Sequence, residues 1–99
     1  MPRPLRPSPY AHGRSEIHER KPLVQTIGRE RRRLGARLRQ LRLAREMTQA
    51  AAAEAVGVHP VHVARIESGA ANPTISTLIA FAVAYGVQLR ALFDESSRD

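Results

Sequence analysis

The sequence predicts an all-α fold, a bundle of five helices with a basic, disordered N-terminal arm. Three observations predict it. Apolar residues recur at spacings of three, four and seven, which is one face of an α-helix. Gly, Pro and capping residues cut that pattern into separate helices. No stretch shows the period-two alternation of a half-buried strand.

Each element has its own justification. Residues 1–22, "MPRPLRPSPYAHGRSEIHERKP", carry five of the seven prolines and little apolar content. Such a segment cannot bury enough surface to fold alone, so it is expected to be a disordered arm. Residues 23–93 form the folded domain, with its core in 34–93, and residues 94–99 are a polar tail. In the first helix Ile27, Leu34, Leu38 and Leu41 share a face. Thr26 is the expected N-cap. Arg29, Arg31, Arg32, Arg33, Arg37, Arg39, Arg42 and Arg45 fall on the other faces. Gly28 and Gly35 weaken continuity, so one long helix or two are both compatible with the pattern.

Thr48 caps a second helix, Gln49 to about Val56, whose alanine run is the strongest of helix formers. Gly57 is a natural C′ residue. His59 then stands at an N-cap and Pro60 at N1, where its missing N–H has no partner to lose. That third helix runs to about Ser68 and stops at Gly69. Thr74 caps a fourth, to Tyr85, with Ile75, Leu78, Phe81, Ala82 and Tyr85 as its inward stripe. A fifth short helix is expected from Gln88 to Phe93, with Leu89 and Leu92 turned in.

A chain of 99 residues with 42% hydrophobic content suits one small domain. There is no cysteine, hence no disulfide and no thiolate chemistry. No apolar run reaches the roughly 20 residues of a membrane span, and the N-terminus lacks a signal peptide's apolar core. The expected location is therefore the cytoplasm. The net charge is +7, and it is unevenly spread. Residues 1–45 hold thirteen Lys/Arg against three acids, and residues 46–99 hold three Arg against six acids. Cations crowded at one end suggest a polyanionic partner, nucleic acid first and anionic membrane second. The run Arg31, Arg32, Arg33 is a candidate for phosphate contact.

The second and third helices are separated only by Gly57, Val58 and His59. Two helices joined by so short a turn, with Gly at its head, form a helix-turn-helix. Ala53, Val56, Val58, Val63 and Ile66 supply the small or aliphatic inner faces that close crossing needs. Here "LGARLRQLR", "TQ", "AEAVGV", "RIESG" and "NPT", in that order, resemble the Xre/Cro phage-repressor-type helix-turn-helix family over about Leu34 to Phe93.

The resemblance implies a five-helix, repressor-like bundle that binds double-stranded DNA, as a homodimer on an inverted repeat. It implies that helix 60–68 enters the major groove. Pro60, Val61 and Arg65 then face bases, with His59 and His62 beside them. Thr48, Gln49, Ser68 and Asn72 match positions near phosphates. Arg42 and Glu67 match a structural pair bridging the first helix to the third. Arg65 offers a bidentate pair to guanine O6/N7, and Pro60 and Val61 offer apolar contact to a thymine methyl. Three departures stand out. Pro60 and Val61 replace usual polar residues, Ala70 and Ala71 replace usual cations, and Ala52 replaces a usual Leu, which predicts a thinner core. Ile79 and Val83, outside the fourth helix's inward stripe, form a candidate dimer surface with Val87 and Phe93.

His59 and His62 lie three apart, yet neither Cys nor a nearby third ligand accompanies them, so neither metal nor cofactor is expected. No nucleophile–base pairing or Gly-rich phosphate loop appears, so no enzymatic activity is expected. The leading reading is a sequence-specific transcriptional regulator of bacterial or phage type, with restriction–modification controllers as the near alternative. From a different class, the alternative is an antitoxin-like adaptor whose bundle binds a protein partner.

Overall fold

The computed structural model describes residues 16–94. Four α-helices, α1 (Glu16–Ala44), α2 (Gln49–Val56), α3 (Pro60–Glu67) and α4 (Ile75–Tyr85), precede a 3-10 helix (Leu89–Phe93). Among the described residues there is no strand.

α1 is a single helix of 29 residues, about 43 Å long at 1.5 Å per residue. Gly28 and Gly35 do not divide it. It also starts earlier than expected, so residues 16–22 of the expected arm are helical. The strong helix formers of "EIHERK" outweigh the one backbone hydrogen bond that Pro22 removes. The rest of the arm, 1–15, and tail residues 95–99 lie outside the described residues. Thr26 is not the N-cap. It sits within α1, and its hydroxyl donates 2.9 Å back to the Pro22 carbonyl.

The remaining helices end where their caps put them. Thr48 is extended (φ −77°, ψ 166°), and its Oγ1 accepts the Ala51 N–H at 3.0 Å. Gly57 takes the left-handed φ of 89° that closes α2, its N–H donating to Ala53 O. Thr48→Ala therefore leaves an N-terminal donor of α2 without its side-chain partner. It should cost about 1 kcal/mol and lower Tm by roughly 4–8 °C in a circular-dichroism melt. An unchanged Tm would show that the cap contributes nothing. Thr74 caps α4 in the same way through the Thr77 N–H.

The last element corrects the expected fifth α-helix. It begins one residue later, at Leu89, and is 3-10. So short an element closes with i→i+3 bonds in place of i→i+4 ones. The Ala91 N–H instead reaches Gln88 O at 2.9 Å, and Arg37 Nε from α1 takes the Ala91 carbonyl at 2.8 Å.

The core joins Leu38 and Leu41 of α1, Ala52 and Ala53 of α2, and Val63 and Ile66 of α3 to Leu78, Phe81, Ala82 and Tyr85 of α4 and Leu92. Ala52 is wholly buried, so the bundle closes around the small side chain. Phe81 and Tyr85 meet at 5.7 Å with their rings tilted by 56°, and the Arg45 guanidinium lies 5.6 Å from the Tyr85 ring centre. The Tyr85 hydroxyl is buried without a hydrogen-bond partner. Burial, with help from the Glu67 carboxylate, pushes that phenol up to about 12. Ile75 departs from the expected inward stripe and is 59% exposed. It is the first residue of α4, one turn before the core is reached.

Candidate nucleic-acid interface

α2 and α3 are joined by Gly57, Val58 and His59, as the turn chemistry requires. The His59 backbone is extended, and its Nδ1 accepts the Val61 N–H at 3.1 Å. That bond fixes the ring as an acceptor at Nδ1. Pro60 occupies the first helical position. Val63 and Ile66 face the core, so the outer face of α3 follows by helical geometry. Pro60, Val61, Arg65 and Ser68 are exposed on it, and His62 is half-buried. Val61, at 59% exposure, is an apolar side chain with nothing packed over most of it.

The orientation of that face is set from beneath. Arg42 on α1 grips Glu67 at the end of α3 through two bonds, Nε–Oε2 at 2.7 Å and Nη2–Oε1 at 3.0 Å. Its remaining nitrogen, Nη1, donates to Met47 O at 2.8 Å. Both side chains are buried. A fork-on-fork pair of this kind is directional as well as strong. Its hydrogen bonds with Glu67, opposed by desolvation, hold the Arg42 guanidinium above its already high ordinary pKa. Gln49 completes the brace, its Nε2 donating to Glu67 Oε1 at 3.1 Å. The Gln49 side chain thus faces inward, part-buried, and leaves one N–H for other use.

Two glycines let α1 touch the end of α3. A Cβ at Gly35 would stand 2.4 Å from Ile66 O and 2.5 Å from Glu67 O. A Cβ at Gly69, where φ is +82°, would stand 2.7 Å from Arg32 Cγ. Sequence reasoning missed both roles. The signal was the pairing of a mid-helix Gly in "LGARL" with the Gly of "ESGA", each a cost to be explained.

The basic face is narrower than the arginine count suggests. Arg37 is tied to Ala91 O, Arg42 to Glu67, and Arg45 Nε to Tyr85 O at 2.7 Å. These three act structurally. Consecutive helical residues point about 100° apart, so Arg31, Arg32 and Arg33 fan around α1. Arg32 lies against Gly69 at the end of α3. Arg31 lines a groove with Asn72, while Arg33 pairs with Glu30 at 3.3 Å on the side of Leu92 and Asp94. The three do not share one surface. Ser68 uses its hydroxyl proton on Arg65 O at 3.0 Å, and Arg65 Nη2 rests on Ala70 O at 3.3 Å. Thr48 accepts through its oxygen, a bond that leaves its hydroxyl proton uncommitted. No helix among the described residues is long and apolar enough to cross a membrane.

Comparisons with known proteins agree with this geometry. A family model described as a helix-turn-helix domain matches residues 33–95. The chain is similar to the restriction-modification controller protein C.AhdI from Aeromonas hydrophila, at 30% identity and a TM-score of 0.63. That likeness covers 64% of this chain and 96% of the controller. It is also similar to an HTH_3 family transcriptional regulator from Vibrio cholerae, at 28% identity and a TM-score of 0.65, over 68% of this chain and 38% of that one. No curated protein matches. The turns of α1 before residue 33 lie outside the family match. From Arg33 onward, the chain belongs to the helix-turn-helix domain family, in its Xre-type form.

Proposed function

We propose that the chain is a sequence-specific DNA-binding transcriptional regulator that acts as a homodimer on an inverted repeat, with α3 in the major groove. The observation that carries this reading is the exposed outer face of α3, held at a fixed angle by the buried Arg42–Glu67 brace. Groove reading needs side chains presented rigidly, and α3 has few cations of its own because hydrogen-bonding and apolar groups do the reading. The attraction for phosphates comes from Arg32, Arg31 and the neighbouring cations of α1. Thr48 and Gln49 at the start of α2, with Asn72 beyond α3, add positioning contacts. Arg33, on the side of Leu92, has the weakest claim of the proposed set.

Ile79, Val83 and Phe93 support the dimer, being 47%, 76% and 57% exposed. Ile75 extends this apolar surface, whereas Val87 packs partly against the core. The similarity to a controller protein and to a transcriptional regulator supports the regulatory role.

The roles separate experimentally. Arg65→Ala should relax preference at one base position per half-site, a loss of roughly 1–3 kcal/mol on the preferred base only. Arg32→Gln should weaken binding to all duplexes alike and reduce the salt slope by about one. Fluorescence anisotropy on specific and scrambled duplexes at several salt concentrations checks both. Equal, sequence-blind losses from the two variants would contradict the assignment.

A further inference from the structure

The turns of α1 that precede the family match line a groove together with the matched domain. Leu23, Ile27 and Leu34 form one wall of a groove whose other wall is Pro73, Leu78 and Phe93. Its volume is about 310 Å³, within the range of small-molecule sites and about twice a cavity that holds benzene. Four polar residues border it, namely Thr26, Glu30, Arg31 and Asn72. Thr26 spends its proton on Pro22 O. Arg31 differs, because its Nε–H is buried and donates to nothing. A buried cationic donor without an acceptor costs free energy, part of which an anion beside the guanidinium offsets.

We infer that this groove is a binding site for a small ligand with an apolar body and one anionic group, a medium-chain or aryl carboxylate in class. The aliphatic walls and the Phe93 ring take the body, and the Arg31 guanidinium pairs with the carboxylate. Glu30, the one acid that lines the groove, accepts from Arg33, which leaves Arg31 to the ligand. Arg31 is shared with the proposed phosphate contacts, so ligand uptake is measured without DNA, where failure of the DNA-binding reading leaves it unaffected.

Titration calorimetry of the full chain with octanoate and with octanol tests it. Octanoate should bind one per chain, and more tightly than octanol. Arg31→Met keeps the apolar stem and removes the donor. It should weaken octanoate about tenfold and leave octanol within about twofold, since a charge-assisted bond is lost. Thr26→Trp, at an exposed position on the rim, should fill the groove and abolish both. Octanoate binding that survives Thr26→Trp, or equal losses of both ligands in Arg31→Met, would overturn the inference. So would uptake of neither ligand by a dimer that dissociates in Ile27→Asp, since a second copy would then be the occupant.

Discussion

Gly35→Ala should lower folding stability by about 2–3 kcal/mol, although alanine is the better helix former by about 1 kcal/mol. The methyl would meet the carbonyl oxygens of Ile66 and Glu67 at 2.4 and 2.5 Å. Those are backbone atoms at the end of α3, so no side chain can swing aside. α1 and α3 must separate, which also stretches the Arg42–Glu67 bonds. In a melt the loss reads as a fall in Tm of roughly 10–20 °C. Gly28→Ala is the matched control in the same helix. Its methyl meets only the mobile tip of Arg32, at 3.3 Å, so this variant should be neutral or gain up to about 1 kcal/mol. Two variants with the same response would show that close approach to α3 is not what Gly35 provides.

Breaking the brace from one side is the second large effect. Arg42→Met leaves the Glu67 carboxylate buried with only the Gln49 amide to meet it. An uncompensated buried charge costs about 3–5 kcal/mol. The double variant Arg42→Met, Glu67→Leu removes both charges and should recover much of that loss, because a buried pair contributes little beyond its own desolvation. Its DNA binding should not recover in step. The pair's fork geometry fixes the angle of α3, and apolar packing in its place fixes that angle less tightly. Denaturant unfolding with parallel anisotropy measurements separates the two. A double variant that regains full specificity would mean the brace is dispensable for presenting α3.

Much of the bundle was legible because local chemistry and tertiary packing agree. Thr48, Gly57, His59, Pro60 and Thr74 all cap or turn where their chemistry predicts. The Arg42–Glu67 contact followed from resemblance alone, since residues 25 positions apart leave no periodic trace. The errors share a cause. Thr26, Ile75 and the last helix were each assigned from local pattern at an element's end, where solvent or a distant partner decides. The 3-10 turn depends on Arg37, more than fifty residues away. The division of labour among arginines was not legible either. Composition counts thirteen cations in the first 45 residues, but Arg37, Arg42 and Arg45 are committed to carbonyls and a carboxylate. Local propensity marks Gly35 as a weakness of α1, whereas its missing side chain lets the end of α3 approach.

The central claim is that α3 reads bases. Selection of bound sites from random duplex DNA, followed by sequencing, tests it most directly. The account predicts an enriched inverted repeat whose half-site centres lie about one helical turn, roughly 34–36 Å, apart. Retention of every sequence alike, with steep salt dependence and no enriched site, would contradict it and assign the exposed face of α3 to a protein partner.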